Sequence, residues 1–416
     1  MNKVGLPFLL LFYLYPITPK ILPFLSSRKV MAIFGIFLVI TKIFNKLYNN
    51  NLLIKKELIY IFLSLILIAS LSFITVLYNG TSELQFVSYV ISNIIIFASA
   101  YFVIKVINGS GIYVSNEYLI KLIIYSIALQ CLISILMHFI PSLKDMILSI
   151  TAFDDTQLEI IDRLEAERVI GFGLTFFWAG AYCGMGLILI AYLIKYSYIQ
   201  SKQIFWFVLL YAFIFVIGMM MARTTIIGAS LSLLLFLFPH KQNAFSYRSV
   251  KFIGLLVIFP VLFISTLYLA FPNLFSKIDY LIQFAFEMFI SLKNKGELQT
   301  DSTDVLKNMF VLPDNLKTWI IGDGYWMNPV GEGYYMHTDV GFLRAIYYFG
   351  LAGLLSFILS QLIILKYSLN KKLLFITILA YFLILNVKGF FEYTPFFALL
   401  IASHYQMKKP QYLKYI

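Results

Sequence analysis

Apolar runs of about 20 residues recur along this chain, each long enough to cross the hydrocarbon of a bilayer as a helix. In lipid no water is present to bond a peptide N–H or C=O. Only structures that satisfy every backbone group internally can span it, namely helices or closed barrels. A barrel needs short strands of alternating polarity, and these runs do not alternate. The expected fold is therefore all-α, a polytopic helical membrane protein. Composition agrees: 61% of the 416 residues are hydrophobic and 12% are charged, against about 25% charged in a soluble domain.

Twelve segments qualify as spans: 5–24, 30–48, 57–78, 84–106, 119–140, 171–194, 204–221, 223–239, 251–271, 340–365, 373–387 and 389–406. The first, eighth and eleventh depend most on tilt, on neighbouring helices or on half-depth insertion. Lys3 precedes the first run, but no small-residue cleavage site follows, and Pro16, Pro19 and Pro23 interrupt it. It reads as a retained span and not as a removed signal peptide.

The net charge of +12 is explained by topology and not by nucleic acid. With the N-terminus inside, the inner links hold 18 of the 32 basic residues and only two acids, Glu57 and Glu117. The other face carries 14 basic and 18 acidic residues, so the positive-inside rule puts both termini in the cytoplasm. Residues 1–416 then form one integral membrane domain with two sizeable outer loops, 141–170 and 272–338. In the second, Ile278, Leu281, Ile282, Ala285, Phe286, Phe289 and Ile290 repeat at helical spacing, predicting an amphipathic helix on the membrane or against the bundle. Asp301 or Ser302 suits the cap of a second short helix, and Gly322 and Gly324 break and shape the chain afterwards. No internal repeat is visible.

Cys131 and Cys183 lie inside apolar runs and read as buried structural thiols. The four histidines (138, 240, 337, 404) are scattered, so neither a metal site nor a cofactor is expected. Charges at membrane depth are the informative ones. Arg223, in MMMARTTIIGAS, sits between two apolar runs with no polar loop to hold it. Such an arginine costs about 2.5–3.5 kcal/mol or more at mid-span, and it either snorkels to the interface or binds an anion. Arg168 opens the sixth span; pairing with Glu165 or Glu167 is its plainer reading. After the large loop come His337, Asp339 and Arg344, where Asp339 caps the next helix or acts chemically.

Arginines without a metal cluster suit one chemistry well. Guanidinium forks neutralise a diphosphate leaving group as its bond to a sugar breaks. A histidine or carboxylate removes the proton from the incoming hydroxyl, and the transition state has oxocarbenium character. Arg168, Arg223 and Arg344 are the candidate diphosphate or glycan ligands, and His337 or Asp339 the candidate base. Trp319, Tyr325, Trp326, Tyr334 and Tyr335 suit stacking on sugar rings or anchoring at the interface.

In order and layout, Ala222-Arg223-Thr224, Gly322-Asp323-Gly324, HTDVGFLR at 337–344 and Gly350-Leu351-Ala352-Gly353 resemble the Wzy-type oligosaccharide repeat-unit polymerases. The resemblance implies a metal-independent, inverting glycosyltransferase of the GT-C type in a bacterial cytoplasmic (inner) membrane. Its donor and acceptor are undecaprenyl-diphosphate-linked glycans, joined at the outer face into O-antigen or capsular polysaccharide, with room for a chain-length regulator as partner. The related O-antigen ligases share Arg168-x-x-Gly171, Arg223 and His337, but typically read H-N-x-(Y/F)-L where this chain reads HTDVGFLR. From another class, a polysaccharide flippase is also polytopic and basic, but more often carries mid-helix charges in both halves and lacks such an outer loop.

Overall fold

A computed structural model describes residues 5–48, 55–111, 114–153, 155–165, 167–174, 176–196, 198–237, 252, 254, 272–296 and 301–406. Among the described residues the chain is all-helical, with only two isolated β-bridges. The helices are α1 (Gly5–Leu14), α2 (Ser27–Tyr48), α3 (Lys56–Asn79), α4 (Gln85–Gly109), α5 (Asn116–Phe139), α6 (Pro141–Ile150), α7 (Asp155–Glu165), α8 (Phe176–Lys195), α9 (Ile204–Met221) and α10 (Thr225–Leu237). There follow α11 (Pro272–Lys295), α12 (Asp301–Asn308), α13 (Leu316–Ile320), α14 (Gly341–Ser368), α15 (Lys372–Lys388) and α16 (Thr394–Gln406).

Six of them (α3, α4, α5, α8, α9 and α14) are long and apolar enough to cross a membrane, while α1, α10 and α16 are apolar but shorter. This is the architecture of a helical membrane-embedded protein. The outward residues of α2 and α3, including Phe34, Phe37, Leu63 and Ile66, are large, apolar and exposed, as a lipid-facing surface requires. Apart from Phe252 and Gly254, the span expected at 251–271 lies outside the described residues.

Small residues set the central packing. Gly184 of α8 and Gly228 of α10 meet back to back, and a Cβ on Gly228 would fall 2.3 Å from the Cα of Gly184. Without a hydrophobic force between helices in lipid, such close backbone approach supplies the van der Waals contact that holds them. One turn along α8, the Gly180 carbonyl accepts from Thr225 Oγ1 at 3.2 Å. That contact seats the α9–α10 turn, which carries Arg223, against α8.

The sixth expected span begins later than its apolar run. Residues before α8 are irregular, and their backbone is satisfied by neighbours: Val169 N donates to Met220 O at 3.0 Å and Phe172 N to Ser134 Oγ at 2.8 Å. Non-helical backbone is tolerated in a bundle where protein groups take its hydrogen bonds.

Helix α14 is broken at Phe349 and Gly350, the latter at φ 71°. The Gly322-Asp323-Gly324 turn repairs the break. Asp323 N donates to Tyr347 O at 2.6 Å and Gly324 N to Tyr348 O at 3.0 Å. Gly322 and Gly324 have φ of 83° and 77°, and a Cβ on Gly322 would sit 2.4 Å from the Tyr348 carbonyl oxygen. The α3–α4 connection holds the other side of this turn: Asn79 Nδ2 donates to Gly322 O at 3.2 Å and Thr81 Oγ1 to Gly324 O at 3.1 Å. The amphipathic segment of the 272–338 loop is α11, which packs on α9 and buries Leu281 and Ala285.

Candidate functional site

Arg168 and Arg223 come together on α11. Both guanidinium groups lie over the ring of Phe284, at 4.8 and 4.2 Å from its centroid. Arg223 Nε donates to the Phe284 carbonyl at 2.9 Å, and its terminal nitrogen pairs with the carboxylate of Glu287, one turn further along the same helix. Arg168 pairs with Glu167 at 3.7 Å and stacks a second face near Phe176. Its Nε is buried and finds no acceptor. Burial lowers the Arg168 pKa, Glu167 works against that, and the Arg223 charge lowers it further.

A third cation belongs to this group. Lys388, at the end of α15, lies within electrostatic reach of both Arg223 and Arg168. Three positive charges from the 167–174 segment, the α9–α10 turn and the end of α15 therefore converge at one end of the bundle. Like charges do not gather in an apolar protein without an anion to offset their repulsion. Glu287 and Glu167 supply two carboxylates.

Arg344 forms a second group. It is 7% exposed, and its guanidinium lies between two aromatic rings, 3.9 Å from the centroid of Trp326 and 3.3 Å from that of Tyr334. Asp339 is its acidic neighbour. Burial pushes the Asp339 carboxyl up, and the Arg344 charge pulls it back down. Asp339 does not cap α14: the N-cap position is Val340, with no side-chain cap, and Thr338 Oγ1 accepts from Val340 N at 3.2 Å instead.

His337 adjoins the second group through its backbone, N donating to Tyr334 O at 2.9 Å. It is exposed, has φ of 51°, and its Nε2 meets Asn328 Nδ2 at 3.2 Å. Of the aromatic residues considered for sugar stacking, Trp326 is buried beneath Arg344 and packs edge-on against Phe390, while Trp319 donates to the Pro313 carbonyl at 2.9 Å. Both are packing groups. Tyr334 keeps an exposed surface.

The two groups are joined by the link between α15 and α16. Lys388 reaches the first group, Phe390 touches Trp326 of the second, and a Cβ on Gly341 at the start of α14 would meet Gly389 O at 2.7 Å. Sequence reasoning passed over Lys388, Phe284 and Glu287. Lys388 carried the same signal as Arg223, a lone cation ending an apolar run. Phe284 and Glu287 carried none beyond helical spacing.

Comparison with protein-family models, with curated proteins and with solved structures found no match.

Proposed function

We propose that this protein is a repeat-unit polymerase: a glycosyltransferase that joins lipid-diphosphate-linked oligosaccharides at the outer face of a bacterial cytoplasmic membrane. In this reading it has twelve spans, a GT-C-type organisation and cytoplasmic termini. The arginine-bearing end of the bundle faces outward, where undecaprenyl-diphosphate-linked glycans for O-antigen or capsule present their diphosphates. The observation that carries the reading is the convergence of Arg168, Arg223 and Lys388, with Arg223 already holding an anionic group in Glu287.

A diphosphate entering this group replaces the Glu287 carboxylate on Arg223 with a more highly charged anion. Planar guanidinium groups meet its oxygens bidentately, and the aromatic face of Phe284 holds both forks in place. During transfer the bond between the anomeric carbon and the diphosphate oxygen breaks, and its electron pair leaves with the diphosphate. The acceptor hydroxyl oxygen bonds to that carbon and gives up its proton to a base. Asp339 suits that base better than His337, because its burial raises the carboxyl toward working pH while His337 lies exposed against Asn328. Arg344, rigidly stacked, then orients the carboxylate or a glycan substituent.

A gene deletion tests the reading. Loss of a polymerase leaves single repeat units attached to the core, one band above it on a gel. Loss of a ligase or flippase removes attached glycan altogether. A deletion that keeps a normal polymer ladder overturns the proposal.

A further inference from the structure

Four residues beyond Lys388 the same link carries Glu392, which faces a cavity of about 350 Å³. The volume lies at the lower end of the roughly 300–1,000 Å³ typical of small-molecule sites, enough for part of an oligosaccharide and not a long chain. Arg28, Lys29, Trp178, Tyr182, Ser92 and Glu392 line it. We infer that this cavity is a sugar subsite, binding hydroxyl groups of a glycan between Glu392 and Arg28 and a ring face against Trp178. The assignment of its ligand to a lipid-linked glycan rests on the polymerase reading.

The chemistry of the lining selects a sugar over a phosphate. A carboxylate only accepts hydrogen bonds, and guanidinium and ammonium groups only donate. A sugar hydroxyl does both, so it bridges the two kinds. No ion pair closes Arg28 onto Glu392 among the described residues, although each acts electrostatically on the other. Arg28 is fixed from behind, donating from Nε to Tyr13 O at 2.8 Å and from a terminal nitrogen to Leu14 O at 3.0 Å. Glu392 accepts from Thr394 Oγ1 at 3.2 Å and from Asn93 Nδ2 at 3.5 Å on one oxygen. Trp178 is held by Phe391, 5.4 Å between ring centroids. A diphosphate would gain from Arg28 and Lys29 but would meet the Glu392 charge.

The position also fits. Four residues of extended chain span at most roughly 14 Å, so the backbones of Lys388 and Glu392 are no further apart than that. A sugar held at Glu392 and a diphosphate held near Lys388 would thus share one short link, so that a single glycosyl diphosphate can reach both. Lys29 and Ser92 are exposed and mark the open side of the cavity.

The test uses full-length protein in lipid nanodiscs and the repeat-unit oligosaccharide freed of lipid and diphosphate, with contact read by saturation-transfer NMR. Wild type and Arg223→Ala are expected to bind it alike. Glu392→Ala and Trp178→Leu are expected to weaken binding at least tenfold, and Ser92→Trp, which fills the opening without touching buried partners, to do the same. Inorganic pyrophosphate in equal amount is expected not to displace the sugar. Unchanged binding in Ser92→Trp and Glu392→Ala, displacement by pyrophosphate, or no binding by wild type overturns the subsite. Sugar binding that these variants abolish, in a protein that extends no chain, leaves the subsite standing and sinks the polymerase reading instead.

Discussion

Gly322→Ala isolates the contact between the glycine turn and the broken helix α14. The turn's φ of 83° is left-handed, which costs an L-residue about 1–2 kcal/mol. The added methyl would also lie 2.4 Å from the Tyr348 carbonyl oxygen, so the turn must withdraw. Withdrawal weakens the bonds from Asp323 N and Gly324 N to the carbonyls of Tyr347 and Tyr348, each contributing about 0.5–1.5 kcal/mol. Together the loss is about 2–5 kcal/mol. At about 1.4 kcal/mol per factor of ten, local opening becomes roughly 30-fold to 4,000-fold easier. Hydrogen exchange followed by mass spectrometry on peptides covering 321–327 reads that opening directly. Gly111→Ala is the control: its φ is 75° but nothing lies within 4 Å of a new Cβ, so only the conformational cost applies. Equal effects of the two substitutions, or unchanged exchange at 321–327 in Gly322→Ala, would refute the packing argument.

Three further outcomes follow from the site. Phe284→Leu removes the ring beneath both Arg168 and Arg223; two cation–π contacts of about 0.5–1 kcal/mol each predict lipid-diphosphate binding weaker by about 5- to 30-fold, and an unchanged titration would show the ring to be incidental. Arg344→Lys keeps the charge but loses the planar stack between Trp326 and Tyr334, so chain growth should fall at least tenfold while protein still reaches the membrane; normal growth would mean that charge alone suffices. Because burial raises the Asp339 carboxyl, its base form is lost as pH falls through a value higher than that of an ordinary aspartate. The rate should therefore drop on that acid limb, and Asp339→Asn should abolish both the activity and the limb; a variant retaining the wild-type pH profile excludes Asp339 as the base.

The long helices were legible because apolar runs of membrane length leave the backbone no other solution. The start of α8 was not: residues 169–174 are as apolar as a helix, but Ser134 and Met220 take their hydrogen bonds instead. Arg223 was legible as an isolated charge, whereas its partners were not. Phe284 and Glu287 are ordinary residues of an amphipathic helix, and only tertiary packing puts them under two arginines. The glycines at 322 and 324 announced a turn, but their complement at Gly350 lies across a helix break that hydropathy does not register. Trp326 illustrates the opposite error, since an aromatic beside glycines suggests an exposed stacking face where the chain buries it.

The most direct measurement of the account is chain extension by the purified protein. Full-length protein in nanodiscs is supplied with the lipid-diphosphate-linked repeat unit, and products are resolved by mass. Glycans at successive multiples of the repeat mass, with free lipid diphosphate released, are expected from wild type and not from Arg223→Ala. Substrate that remains single, or transfer to a different acceptor without extension, would contradict it.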